Sequence, residues 1–114
     1  MEEFVEKSYL YDFYGELLTD HQRNVYRAIN FDDLSEAEAA RDEGISRQGV
    51  HDLMRRTNRQ LEEYEERLHL VEKFMKIRRD IREIQKLTDT EDGRDEKERL
   101  GEIRSISSEI LEEL

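Results

Sequence analysis

The chain has 114 residues, a formal net charge of −11, and only 35% hydrophobic residues against 43% charged ones. That length fits one domain, or one domain with an extension, around a thin core. The absence of cysteine excludes a disulfide framework and thiolate chemistry, and no apolar run approaches the roughly 18 residues of a membrane span.

The opening, MEEFVEKSYLYDF, is acidic and lacks the basic-then-apolar layout of a signal peptide, so a cytoplasmic setting without membrane insertion is expected. With no proline and five glycines, the sequence permits long helices. The first is predicted over Phe4–Leu18. Phe4, Tyr9, Leu10, Phe13, Tyr14, Leu17 and Leu18 recur at helical spacing and read as a broad core-facing stripe. Gly15 inside it costs about 1 kcal/mol relative to alanine, which close approach of a neighbouring helix would explain. Thr19 and Gln22 form a T-x-x-Q capping box that opens a second helix to about Asn30, with Val25, Tyr26 and Ile29 inward. Asp32 and Asp33 in the following connector fit turn and helix-dipole chemistry better than a metal site.

Residues Leu34–Arg56 carry the densest set of local signals. Ser35 and Glu38 form an S-x-x-E capping box. Gly44 stands where the helix must stop, because glycine enters the left-handed region without a Cβ penalty, and Ser46 is a good N-cap for the next helix. A three-residue turn, Gly44-Ile45-Ser46, separates a short helix from the next one, as in a helix-turn-helix. Ala39, Ala40, Ile45, Val50 and Leu53 supply a small wedge of core. The polar face of the second helix carries Arg47, Gln48, His51 and Arg55, side chains that bond phosphates and base edges. In Ile45–Gln60, Arg47, Arg55, Arg56 and Arg59 against Asp52 leave +3, so the rest of the chain carries −14. A phosphate backbone repels that remainder, and binding requires it to point away from the nucleic acid.

From Arg47 the helical pattern runs to Leu87 without a breaker, about 41 residues or roughly 60 Å. Leu61, Tyr64, Leu68, Val71 and Met75 follow the 3-4-3-4 spacing of a coiled-coil seam. Phe74, Ile77, Ile81 and Ile84 continue it one position out of phase, which points to a bend near Leu70–Met75 or a change of packing partner. The seam fits packing against the last helix, a homodimer, or both. Thr88–Asp95 reads as a polar loop, because aligning Gly93 with the glycine of a calcium loop puts Thr88 and Arg99 at ligand positions. A last helix over about Asp95–Glu113 is expected to fold back antiparallel.

No catalytic constellation is present. His21, His51 and His69 lack metal-ligand spacing, and there is no phosphate-binding loop or nucleophile elbow. A non-enzymatic protein without cofactor or metal is the expectation.

FYGELLTDHQR (Phe13–Arg23) followed by SRQGVHDLMRRT (Ser46–Thr57) resembles the YlxM family of bacterial helix-turn-helix proteins, over roughly Leu10–Leu68. More distantly, LT-x-x-QR, LS-x-x-E-x-A and S-R-Q-x-V resemble region 4 of bacterial sigma factors. The resemblance implies a winged-helix-like or sigma-region-4-like, all-α scaffold. It implies a regulatory part in the signal recognition particle pathway, acting through DNA or RNA or through the particle's components. It implies too that Arg47 and Gln48 lead the contact, with Arg55, Arg56 and Arg59 following along the backbone. Gly49 stands where the family usually has alanine. The expected organisation is a helix-turn-helix domain over residues 1–60 and a helical hairpin and dimerisation extension over 61–114.

Overall fold

Three hydroxyl side chains set helix starts in the computed structural model, which describes residues 3–88 and 95–114, with side chains from residue 7 onward. The helices are α1 (Glu3–Tyr14), α2 (Asp20–Asn30), α3 (Glu36–Glu43), α4 (Arg47–Leu68), α5 (Leu70–Leu87) and α6 (Glu96–Glu113). Among the described residues there is no strand, so the protein is all-α and its helix-turn-helix carries no wing there. Thr19 Oγ1 accepts from the Gln22 N–H at 3.2 Å, while Gln22 Oε1 accepts from the Thr19 N–H at 2.9 Å. Ser35 and Glu38 repeat the arrangement at 3.1 and 3.3 Å. Ser46 Oγ accepts from the Gly49 N–H at 3.0 Å. Each bond satisfies a donor that a helix start would otherwise leave open. The side chain of Phe4 and most of the expected polar loop (89–94) lie outside the described residues.

α1 is shorter than its periodicity predicts. After Tyr14 the chain tightens into a 3₁₀ turn, Gly15–Leu17, and Leu18 departs in extended conformation. Leu10, Tyr14 and Leu18 are buried as expected, but Phe13 and Leu17 are exposed, at 37% and 56%. The tighter turn rotates Leu17 off the face that an uninterrupted α-helix would have given it. Gly15 answers to its own helix, not to a neighbouring one: a Cβ there would lie 3.2 Å from Cε2 of Tyr11. The Tyr11 ring stacks on Tyr26 of α2 with centroids 5.0 Å apart, and Phe31 meets both rings edge-on. Such aromatic pairs add about 0.5–1.5 kcal/mol beyond their burial. The Tyr26 hydroxyl donates to the Lys7 carbonyl at 3.2 Å. Burial first, and Tyr11 second, push its pKa up to about 12.

The helix-turn-helix is built from α3, Gly44-Ile45-Ser46 and α4, with α2 behind it. Gly44 sits at φ 68° and its N–H closes α3 onto the Ala40 and Arg41 carbonyls. Val25, Ala39, Ala40, Val50 and Leu53 form one buried cluster, with Ala28, Ile29, Ile45 and Met54 packed against it. The two alanines let α3 approach α4 closely. Truncating Leu53 to alanine would cost about 2–5 kcal/mol.

The predicted 41-residue helix is instead two helices. His69 takes the left-handed conformation at φ 56°, and its N–H caps α4 by donating to the Glu65 carbonyl at 2.8 Å. The expected seam is divided there. Leu61 is buried and Tyr64 is half-buried, whereas Leu68 is 48% exposed. The left-handed residue ends one helix and starts the next at the edge of the Leu70–Met75 stretch where a bend is expected.

The chain divides into two compact units, Met1–His69 and Leu70–Leu114. The division falls at the helix break at His69, beyond the expected limit at residue 60. The second unit is an antiparallel hairpin of α5 and α6. Lys76, early in α5, bonds Glu113 at the end of α6 at 2.9 Å. Ile77, Ile84, Ile103, Ile106 and Ile110 are half-buried, and no described residue of α6 is fully buried.

Candidate nucleic-acid interface

α4 is fixed from behind before it offers anything to a ligand. Val50, Leu53, Thr57 and Leu61 form its buried stripe. Thr57 is the buried polar residue of the described core, at 0% exposure. Gln22 of α2 donates through Nε2 to Thr57 Oγ1 at 3.3 Å and to Gln60 Oε1 at 3.0 Å. Gln60 in turn donates to the Tyr64 hydroxyl at 2.7 Å. The Tyr14 hydroxyl reaches Glu65 at 2.5 Å, and its ring lies 5.8 Å from that of Tyr64. Gln22 therefore closes a capping box and ties α2 to α4 with one side chain. Part-buried polar bonds of this kind favour one arrangement, because any other leaves the groups less well satisfied.

At roughly 100° per residue, Arg47, Gln48, His51, Asp52, Arg55, Arg56 and Arg59 fall within about half the helix circumference, opposite the buried stripe. All are exposed. They form two adjacent groups. In the first turns, Glu36 of α3 faces both Arg47 and His51: Oε2 is 3.9 Å from Arg47 Nε and Oε1 is 3.5 Å from His51 Nδ1. Gln48 donates to Asp52 Oδ1 at 3.0 Å. Glu36, Arg47, Gln48 and His51 line an open cleft of about 370 Å³.

Further along, Asp52, Arg55, Arg56 and Arg59 line a cleft of about 280 Å³. Among the described residues no ion pair engages Arg55, Arg56 or Arg59. Their guanidiniums are thus available to an external anion. Four arginines against Glu36 and Asp52 give this face a net +2, within a chain of −11.

The six sequence-predicted side chains lie on one face of one helix, divided between the two clefts. The carboxylates that engage them were not among those candidates. Asp52 was legible as the i+4 neighbour of Gln48. Glu36 was not, because only the turn at Gly44 brings it back over α4.

A turn of this geometry, with an exposed polar and cationic face on its second helix, defines an all-α helix-turn-helix protein. The profile of the family described as "Putative helix-turn-helix protein, YlxM / p13 like" matches residues 1–103. The chain belongs to this family. Similar proteins, each carrying the family name UPF0122, include one from Shouchella clausii, 44% identical over 75% of this chain and 79% of its own. One from Symbiobacterium thermophilum is 45% identical over 73% and 78%, and one from Bacillus cereus is 40% identical over 81% and 84%. Among the described residues no helix is long and apolar enough to cross a membrane.

Proposed function

We propose that this protein is a non-enzymatic cytoplasmic regulator that binds nucleic acid, DNA or RNA, through the exposed face of α4. The observation that carries this reading is the cleft in which Arg55 and Arg56, and Arg59 one turn further on, stand without ion-pair partners among the described residues, in a strongly acidic protein. Exposed arginines in a fork geometry suit phosphate oxygens. Arg47, Gln48 and His51, at the start of the same helix, have the donors and acceptors that read base edges. The test is the paired substitution Arg47→Ala and Gln48→Ala, titrated against the best duplex and RNA ligands at fixed salt. A loss of about tenfold or more supports the reading, as one bidentate base contact is worth about 1–3 kcal/mol; unchanged binding defeats it.

The resemblance to the YlxM family adds a setting, regulation in the signal recognition particle pathway. The −14 carried outside Ile45–Gln60 supports a second reading, an adaptor whose acidic helices meet a basic component of that particle, since complementary charge speeds encounter. Homodimerisation belongs to the same proposal: Leu100 and Leu111 on α6 and Leu114 just after it are exposed, at 59%, 73% and 86%, and a two-helix hairpin buries little by itself. A symmetric dimer would present two copies of α4, with half-sites about one DNA turn apart.

A further inference from the structure

We infer that Glu36 is a positioning residue for recognition: it holds Arg47 and His51 in the reading cleft and keeps phosphate off the first turns of α4, leaving phosphate contact to Arg55, Arg56 and Arg59. This rests on the nucleic-acid reading of α4 and deepens it.

Glu36 lies in the first turn of α3, where a carboxylate is favoured by the helix dipole. The turn at Gly44 folds α3 back so that this one carboxylate faces two side chains of the next helix, Arg47 through Oε2 and His51 through Oε1. The side chains are 39% exposed for Glu36, 76% for Arg47 and 50% for His51. An exposed pair at 3.9 Å is weak, so a base edge can displace it. A phosphate cannot approach Arg47 as easily, because it must come near the Glu36 charge. The neighbouring cleft differs in kind. Its single carboxylate, Asp52, accepts from Gln48, and its three arginines stand without ion pairs among the described residues. The two ends of the face therefore differ in charge balance, one arginine against Glu36 at the first and three arginines against Asp52 at the second.

The difference is readable in salt dependence, where each duplex phosphate contact contributes a slope of about −0.9 in log K against log salt. The experiment measures duplex binding from about 50 to about 200 mM salt for the wild-type protein, Glu36→Gln, Glu36→Gln with Arg47→Ala, and Glu109→Gln as a charge-matched control on α6. In Glu36→Gln, Arg47 gains a phosphate. The slope steepens by about 0.9, and the affinity advantage over wild type shrinks about three- to fourfold across that salt range. Adding Arg47→Ala returns the slope to the wild-type value, and Glu109→Gln leaves it unchanged. Discrimination between a preferred and a scrambled duplex falls in Glu36→Gln, because the reading side chains lose their orientation. A merely structural role for Glu36 would lower stability without steepening the slope. An unchanged slope in Glu36→Gln, or a steep slope that persists without Arg47, overturns the inference while leaving the nucleic-acid reading intact. Absence of binding by both wild type and Glu36→Gln overturns both.

Discussion

The side-chain amide of Gln22 donates to the hydroxyl of Thr57 at 3.3 Å, joining α2 to the buried stripe of α4 across 35 residues of sequence. The same amide closes the Thr19 capping box and reaches Gln60. α4 is held at this point by directional bonds as well as by packing.

Thr57→Val keeps the shape of the site and removes one bond, so it should lower unfolding free energy by about 1 kcal/mol. Gln22→Ala also loses half of a capping box and should cost about 2–3 kcal/mol. Denaturant unfolding of the two single variants and the double variant checks this. The double should fall short of the sum by about 0.5 kcal/mol or more, since the residues share one bond.

The two glycines of the motif should respond with opposite signs. Gly44 lies at φ 68° with no atom within 4 Å of an added Cβ, so Gly44→Ala suffers only backbone strain, about 1–2 kcal/mol. Gly49 is a regular helical residue whose added Cβ would meet Ser46 Oγ at 3.2 Å. The end of the serine side chain can give by a few tenths of an ångström, and alanine gains about 0.8–1 kcal/mol of helix propensity. Gly49→Ala should therefore raise the melting temperature where Gly44→Ala lowers it.

Tyr26 gives the fold an alkaline dependence. Its hydroxyl is held protonated in the folded protein, with a pKa raised from 10.0 to about 12 by burial and then by Tyr11. The unfolded chain loses this proton first, so the Tyr26 contribution is intact below pH 10.0 and is lost as pH rises toward about 12. Comparing unfolding free energies of the wild type and Tyr26→Phe across that window should show the wild type falling more steeply. Parallel curves would contradict this account of Tyr26.

Dimerisation through the second unit should appear in sedimentation equilibrium as a species of twice 13.8 kDa at micromolar concentration. Leu111→Glu on the exposed face of α6 should return it to the monomer. A wild-type protein that sediments only at 13.8 kDa refutes the dimer.

The helix-turn-helix was legible because its determinants are local. Ser35, Glu38, Gly44 and Ser46 act on groups within a few residues of themselves. The break at His69 was hidden for the complementary reason: neither glycine nor proline marks it, and a histidine with positive φ is uncommon. Its trace was the one-position slip between Leu61-Tyr64-Leu68 and the later isoleucines, which localised a change without naming the residue. Phe13 and Leu17 are exposed despite their helical spacing, because the pattern does not reveal that Gly15 starts a 3₁₀ turn. In the candidate site, the cationic face followed from helical spacing, whereas Glu36 over Arg47 and Gln22 on Thr57 depend on tertiary placement that no window of sequence contains.

Phosphate contact by Arg55, Arg56 and Arg59 is what the proposed function most depends on. The most direct measurement is the salt dependence of nucleic-acid affinity for the wild type and for the Arg55→Ala, Arg56→Ala, Arg59→Ala triple variant, with circular dichroism confirming equal helicity. Three lost duplex contacts should flatten the log–log slope by about 2.7, or by about 2.1 for a single-stranded ligand. Superimposable salt curves for the two proteins would contradict phosphate contact by these arginines.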